Sequence, residues 1–383
     1  MSHYFDYSAA TPLTKEAYLA MQPYYSEKFF NPSAMYLPAR EVRASIEEAR
    51  HTVAQAIGAR AGEIIFTAGG TEANNIALSG IMSQFPGKKL LISAIEHEAI
   101  LEPAKDYITT LIPVNEKAEV SPSDIESLID DEVVLISVMY ANNEVGTIQP
   151  IKEIAELVKK VNRTRKESGI STPLYLHTDA CQATSHLDMH VSRLGVDLMT
   201  INGGKIYGPK QSGALFVRAG ISLGAYVKGG GQERGIRSGT ENVAGIIGFS
   251  VALRVARERA LSEKNRLEIL RDKFINTLQS EIPEAVIFGH LKKRLPHNVS
   301  FSVPDVDNER LMMLLDEKGF QVATGSACQA ASTEPSHVLR AMGVDDALAR
   351  SSIRLSFGRE TTDNDLSQLA AAIKSSISEI KQL

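Results

Sequence analysis

The stretch Ile201-Asn202-Gly203-Gly204-Lys205-Ile206-Tyr207-Gly208-Pro209-Lys210 sets a lysine just beyond an apolar strand, among glycines that let backbone and ligand approach closely. An amine so placed can form a Schiff base if its surroundings depress its pKa. By itself the pattern also describes an ordinary solvated loop lysine, which is where lysines usually sit. A second candidate is Thr67-Ala68-Gly69-Gly70-Thr71-Glu72. Two glycines and a threonine at a strand-to-helix junction offer backbone amides and a hydroxyl to a phosphate. The same residues also suit a plain glycine turn with Thr71 as an N-cap. The pattern is neither the dinucleotide G-x-G-x-x-G nor a P-loop.

Three further groups carry possible chemistry. Tyr175-Leu176-His177-Thr178-Asp179-Ala180-Cys181-Gln182 puts an acid at the carboxyl end of an apolar strand, the edge at which open α/β sheets bind ligands. An aspartate there can pair with a protonated pyridine nitrogen, or simply cap the next helix. Cys181 reads as a small buried filler. Glu96-His97-Glu98 and Asn142-Asn143-Glu144 also follow strands, where a histidine gains functional promise and asparagines suit turns. Thr324-Gly325-Ser326-Ala327-Cys328-Gln329-Ala330-Ala331-Ser332 is a small-residue loop that leaves its one sulfur accessible. Downstream, Arg354 lies inside an apolar strand and wants a carboxylate, from the protein or from a substrate.

The elements that must position these residues are legible as an alternation. Val42, Ile46, Ala49, Val53 and Ile57 recur at helical spacing and Gly58 follows as a C-cap. Strands are expected at 63–67, 90–94, 133–139, 174–177, 198–201 and 214–217. Helices are expected from Glu72 and over 98–110, 123–129 and 151–165. This order predicts an α/β layer with a mainly parallel sheet. A long helix over 248–282 leads away from it. Beyond lie strands at 298–303, 320–323 and 352–357, helices at 309–318 and 335–342, and a final amphipathic helix: a smaller α+β unit. The expected division is a large domain over 15–260 and a small one formed by 1–14 with 261–383.

Composition narrows the classes. The 383 residues are 43% hydrophobic and 23% charged, as in ordinary globular enzymes. A net charge of −5 offers no basic surface to a nucleic-acid backbone, so no direct nucleic-acid binding is expected. Two cysteines do not staple a chain of this size and favour a reducing compartment. The start shows no signal-peptide pattern and the longest nearly apolar run, 243–253, is too short for a bilayer, so a cytoplasmic location without membrane binding is expected.

The order of these motifs resembles the cysteine desulfurases of the NifS/IscS-like branch, fold-type I pyridoxal-phosphate enzymes of the class V aminotransferase superfamily. The resemblance covers essentially the whole chain. It runs through Tyr4-Phe5-Asp6-Tyr7-Ser8-Ala9-Ala10-Thr11-Pro12, Asn31-Pro32-Ser33, the Gly-Gly-Thr-Glu turn, Glu96-His97 and Asn142-Asn143-Glu144-Val145-Gly146. It continues through Asp179-Ala180 with Gln182, Lys205-Ile206-Tyr207-Gly208-Pro209-Lys210, Gly229-Gly230-Gly231-Gln232-Glu233-Arg234 and Arg237-Ser238-Gly239-Thr240, and ends with the cysteine loop and Ser351-Ser352-Ile353-Arg354.

The resemblance implies pyridoxal 5'-phosphate as cofactor, no metal, and conversion of L-cysteine to L-alanine. Lys205 would hold the cofactor covalently and move the Cα proton. Asp179 would pair with the pyridine nitrogen and Gln182 with the ring hydroxyl, while His97 would stack on the ring and assist proton transfer. Thr71, the Gly70 backbone and Asn202 would hold the phosphate, and Thr240 would reach it from the partner subunit of a homodimer. Asn143 and Arg354 would bind the substrate carboxylate. Cys328 would take the sulfur as a persulfide and pass it to an acceptor, such as an iron–sulfur scaffold or a tRNA-thiolation protein. Its loop is similar to the family's longer version, which favours direct delivery. Other readings are a selenocysteine lyase, another class V lyase, or a non-catalytic scaffold descendant.

One departure stands out. The family's Ser-Gly-His-Lys reads Asn202-Gly203-Gly204-Lys205 here. Losing one charge-assisted phosphate contact would cost about 1.5–3 kcal/mol, roughly ten- to a hundredfold in affinity. Weaker cofactor retention, or a compensating donor elsewhere, is therefore expected.

Overall fold

In a computed structural model of the chain, residues 3–325 and 335–382 are described. Its main sheet has seven strands, in spatial order Ile64–Thr67, Gly213–Val217, Leu198–Asn202, Tyr175–Asp179, Val133–Ser137, Lys89–Ser93 and Ile108–Ile112. The run from Leu198–Asn202 to Ile108–Ile112 is parallel throughout. Gly213–Val217 is antiparallel to both of its neighbours.

Both faces of this sheet are covered, which is why its central strands read as unbroken apolar runs rather than as alternating ones. The alternation is there, but between two cores. Ile64, Phe66, Leu91, Ile136, Met199 and Ile201 join one apolar cluster. Ile65, Leu90, Ile92, Leu135, Leu198 and Leu215 join another on the opposite face. The helix Leu37–Ile57 packs Ile46, Ala49, Val53 and Ile57 of its expected stripe into the first cluster, and Val42 is buried as well. It stops at Gly58, whose φ of 68° is the left-handed C-cap conformation that glycine adopts without strain.

One expected helix divides. The region read as helical over 98–110 is helix Glu98–Ala104 followed by the strand Ile108–Ile112. Pro103 cannot donate within the helix, and the following Ile-Thr-Thr-Leu-Ile suits a strand. As the sheet's edge this strand leaves Ile108 and Leu111 exposed, which hides the usual apolar signature.

The helix Val243–Glu281 links two packing environments. Phe249, Ala252, Leu253 and Ala256 belong to the core of the main sheet. Leu267, Phe274, Ile275 and Leu278 belong to a separate core with Val299, Phe301, Ile353 and Leu355. The latter lie on the antiparallel strands Asn298–Ser302 and Ser352–Ser356, with Val286–Ile287 at the edge. The expected strand at 320–323 is confined to Phe320–Gln321, which pairs in parallel with His3–Tyr4. Phe5 follows into the same second core, so the amino terminus is tied to the carboxyl-terminal part. Among the described residues no helix is long and apolar enough to cross a membrane.

Candidate active site

The parallel strands all deliver their carboxyl ends to one side of the sheet, where a cavity of about 250 Å³ opens. Asp179 ends one strand and Asn202 the next, and Lys205 follows a single turn later. His97 and Asn143 come from the segments after two further strands. These residues line the cavity with Gly70, Thr71, Gln182 and Arg354. That placement is the one expected for a ligand site in an α/β sheet.

Lys205 closes a short 3-10 turn, Gly203–Lys205, capped by the Asn202 side chain, whose Oδ1 accepts from the Gly204 amide at 2.9 Å. The lysine Nζ donates to the Ser8 and Ala9 carbonyls at 2.8 and 2.6 Å. The amino-terminal stretch thus lies over the lysine. It is fixed there by Thr11, whose amide and hydroxyl donate to the Gly204 carbonyl at 3.1 and 3.0 Å. The Gln182 Nε2 donates to the same Ser8 carbonyl at 2.9 Å.

Asp179 is buried and both oxygens accept a hydrogen bond. The Cys181 amide donates to Oδ1 at 2.9 Å and the Asn74 Nδ2 to Oδ2 at 2.7 Å. Two strand positions earlier, His177 lies between Ser137 Oγ (2.9 Å) and Thr200 Oγ1 (3.1 Å), and complete burial pulls its pKa down to about 4. That histidine is therefore neutral packing at physiological pH. His97 caps its helix instead: its Nδ1 accepts from the Ala99 amide at 3.0 Å, which puts the proton of the neutral ring on Nε2.

At the other end of the cavity, helix Gly70–Met82 begins with Gly69 at φ 130°. Its first amides and the Thr71 hydroxyl lie at a helix N-terminus, where the helix dipole favours an anion. Side-chain space is closed off here. A Cβ on Gly70 would stand 2.8 Å from Cys181 Sγ and 3.3 Å from Asn202 Nδ2. Cys181 fills that wall, and burial pushes its thiol up well above the usual range.

Arg354 already has a protein carboxylate. Its Nη2 donates to Asp6 Oδ1 at 2.6 Å and its Nη1 to the Asn143 carbonyl at 3.4 Å, while the buried Nε meets no acceptor among the described residues. The guanidinium is thus anchored by the protein's own groups.

One expected site residue is not brought to the cavity of this protomer, and another is not described. Thr240 is exposed and not among the lining residues of this protomer. Cys328 lies outside the described residues. The flanks of its segment meet at Glu144: Ser336 Oγ donates to Glu144 Oε2 at 2.5 Å, and a Cβ at Gly325 would stand 3.7 Å from the same oxygen.

Sequence reasoning passed over Asn74, the carbonyls of Ser8 and Ala9, and Asp6. Asn74 had one signal, since it sits three residues after Thr71 on the same helix face. The carbonyls had none, because backbone groups carry no sequence identity. Glu96 is a further buried carboxyl beside the cavity. Its Oε1 accepts from Ser93 Oγ and the Met139 amide, both at 2.6 Å, its Oε2 has no partner, and burial raises its pKa to about 8.

The donor set fits a flat, phosphorylated pyridine aldehyde. It offers a lysine amine, a buried carboxylate, an imidazole at the rim and a glycine-walled helix N-terminus that a Cβ would fill.

The comparisons agree with this chemistry. The class-V aminotransferase family model matches residues 3–369. Cysteine desulfurase IscS of Dictyoglomus turgidum is 42% identical over 99% of this chain and 95% of its own length. A solved NifS-like protein superposes with a TM-score of 0.90 at 32% identity, covering 99% of this chain and all of the other. A structure described as SspA in complex with cysteine gives a TM-score of 0.78 at 31% identity over 93% of this chain and 99% of that one. The chain belongs to the class-V aminotransferase family of pyridoxal-phosphate enzymes, within its cysteine desulfurase branch.

Proposed function

We propose that this enzyme takes sulfur from L-cysteine, leaves L-alanine, and carries the sulfur on Cys328 as a persulfide to an acceptor protein. The observation that carries the reading is the convergence of Lys205, Asp179, His97, Thr71 and Arg354 on one cavity.

Pyridoxal phosphate, when bound, draws electron density from the substrate Cα. Asp179, held by Asn74, would keep the pyridine nitrogen protonated. Thr71, the Gly70 amide and Asn202 would hold the phosphate, Gln182 would face the ring hydroxyl, and His97 would stack on the ring. Arg354 and Asn143, both lining the cavity, would bind the substrate carboxylate. Lys205 would carry the Cα proton. Cys328, as thiolate, would attack the substrate sulfur. The S–S bond forms as the Cβ–S bond breaks, and the electron pair left on Cβ takes up a proton to give alanine.

The same proposal covers the assembly. A homodimer is supported by the run of exposed large apolar side chains between residues 18 and 36, Tyr18, Leu19, Tyr25, Phe29, Met35 and Tyr36, with Met35 90% exposed. In such a dimer Thr240 would reach the partner's phosphate. We divide the chain into a large domain over 15–260 and a small one of 1–14 with 261–383, which the two separate cores along helix Val243–Glu281 support. An iron–sulfur scaffold or a tRNA-thiolation protein is the acceptor we propose. A cytoplasmic location belongs to the reading on the strength of two cysteines only.

The test is turnover of L-cysteine with a reductant, reading sulfide and alanine together. Wild type should form both, and Cys328→Ser should keep the cofactor's colour while losing sulfide. Turnover of selenocysteine alone would move the reading to a selenocysteine lyase. Bound colour lost with Lys205→Ala would support the lysine's place. No turnover of any substrate by a cofactor-loaded wild type would sink the catalytic reading.

A further inference from the structure

Gly204 stands where the family pattern has a histidine, so the phosphate seat has one donor side chain fewer. The structure shows what occupies that space. A Cβ on Gly204 would lie 3.3 Å from Lys210 Cδ, so the stem of Lys210 passes over the bare backbone at this position. Lys210 and Gly204 border one open cleft with Gly70, Thr71 and Asn202, the residues assigned above to the phosphate.

Charge makes this arrangement telling. Thr71, Asn202 and the helix amides are neutral donors, whereas a phosphate monoester at neutral pH is close to a dianion. Two cations line the cleft, Lys205 and Lys210. Lys205 is committed to the cofactor's carbonyl carbon. Lys210 keeps an exposed ammonium on a flexible four-carbon stem, and its Nζ gives one of its three donors to the Thr11 carbonyl at 2.6 Å. Thr11 in turn is bonded to the Gly204 carbonyl, so the ammonium is held at the rim of the seat rather than in bulk water.

We propose that Lys210 is a cofactor-binding residue, supplying the positive charge for the phosphate across the surface that Gly204 leaves bare. This rests on the phosphate seat proposed above.

The experiment compares two probes, pyridoxal phosphate and pyridoxal, titrated into apo-protein by absorption and fluorescence. The ratio of their dissociation constants isolates the phosphate contribution. Wild type should prefer pyridoxal phosphate. Lys210→Met and Lys210→Gln should both shrink that preference by about tenfold, as expected for loss of one charge-assisted contact. Binding of pyridoxal should stay unchanged. Glutamine can still donate to the Thr11 carbonyl, so it separates the charge from that hydrogen bond. Gly204→His should restore the preference in the Lys210→Gln chain. The preference should also lose salt sensitivity in both neutral variants.

An unchanged preference in Lys210→Gln overturns the proposal, as does an equal loss for both probes. If wild type itself shows no preference for the phosphorylated probe, the seat at Thr71 is wrong and Lys210 falls with it. A preference that Thr71→Val abolishes but Lys210→Gln leaves intact rejects Lys210 alone.

Discussion

At the Asp179 end of the cavity buried side chains hold one another, whereas the Thr71 end is glycine backbone beside an open cleft. Asp179 is fixed by Asn74 and by the Cys181 amide, with His177 and its two hydroxyl partners packed beneath. The Thr71 end presents a helix N-terminus, the Asn202 side chain and a rim lysine along one cleft. The difference follows from the chemistry each end must serve. A pyridine nitrogen is read by one directed carboxylate in a low dielectric, where an unpaired neighbour is costly. A phosphate is a diffuse anion that several weak donors hold together, so one of them can be exchanged for another.

If that contrast is right, substitutions should be unforgiving at the first end and graded at the second. Asp179→Ala should lower turnover on the order of 10²–10³-fold with cofactor saturating, as for removal of a preorganised electrostatic partner. A loss below tenfold would show that the carboxylate is not the group that matters. Asn74→Ala leaves the Asp179 Oδ2 without its donor and should cost roughly ten- to a hundredfold in kcat. Its pH–rate profile should shift with it, which a merely local packing defect would not produce.

At the other end Gly70→Ala forces its new Cβ against Cys181 Sγ. It should weaken cofactor binding by about tenfold, with kcat at saturation little changed. Adding Cys181→Ala should recover most of the loss in the same titration. No recovery would mean that the Asn202 side of the cradle sets the limit.

A separate test concerns stability rather than turnover or cofactor binding. The folded pKa of Glu96 is raised from 4.5 to about 8 by burial. The native state therefore binds more protons than the unfolded one between those values, and stability falls as pH rises through that window, by up to about 1.4 kcal/mol per unit. Glu96→Gln should flatten this slope and gain most over wild type above pH 8. Parallel thermal unfolding curves for the two proteins at pH 5 and pH 9 would refute the assignment of the slope to Glu96.

Much of this molecule can be read in its sequence, unevenly. The helix ending at Gly58 and the strands leading to Asp179 and Lys205 carry local signals: periodicity, a C-cap, an apolar run. The strand Ile108–Ile112 carries only the β-branched composition of Ile-Thr-Thr-Leu-Ile, without the period-2 alternation that a half-buried strand shows. Lys205 and Asp179 could be picked out, but only the ordered motifs around them gave them partners.

Sequence alone determined the chemical types and the order in which they appear. The amine follows its strand, the acid ends another, and the glycine pair opens a helix, because each depends on residues a few positions away. The tertiary structure decided who holds whom. Asn74 meets Asp179 across 105 residues and Asp6 meets Arg354 across 348. The Ser8 and Ala9 carbonyls cover Lys205 through the tied amino terminus. Such pairings depend on strand order and on where a loop crosses the sheet edge. Local propensity has no term for either, and only the folded chain brings those groups within hydrogen-bond reach.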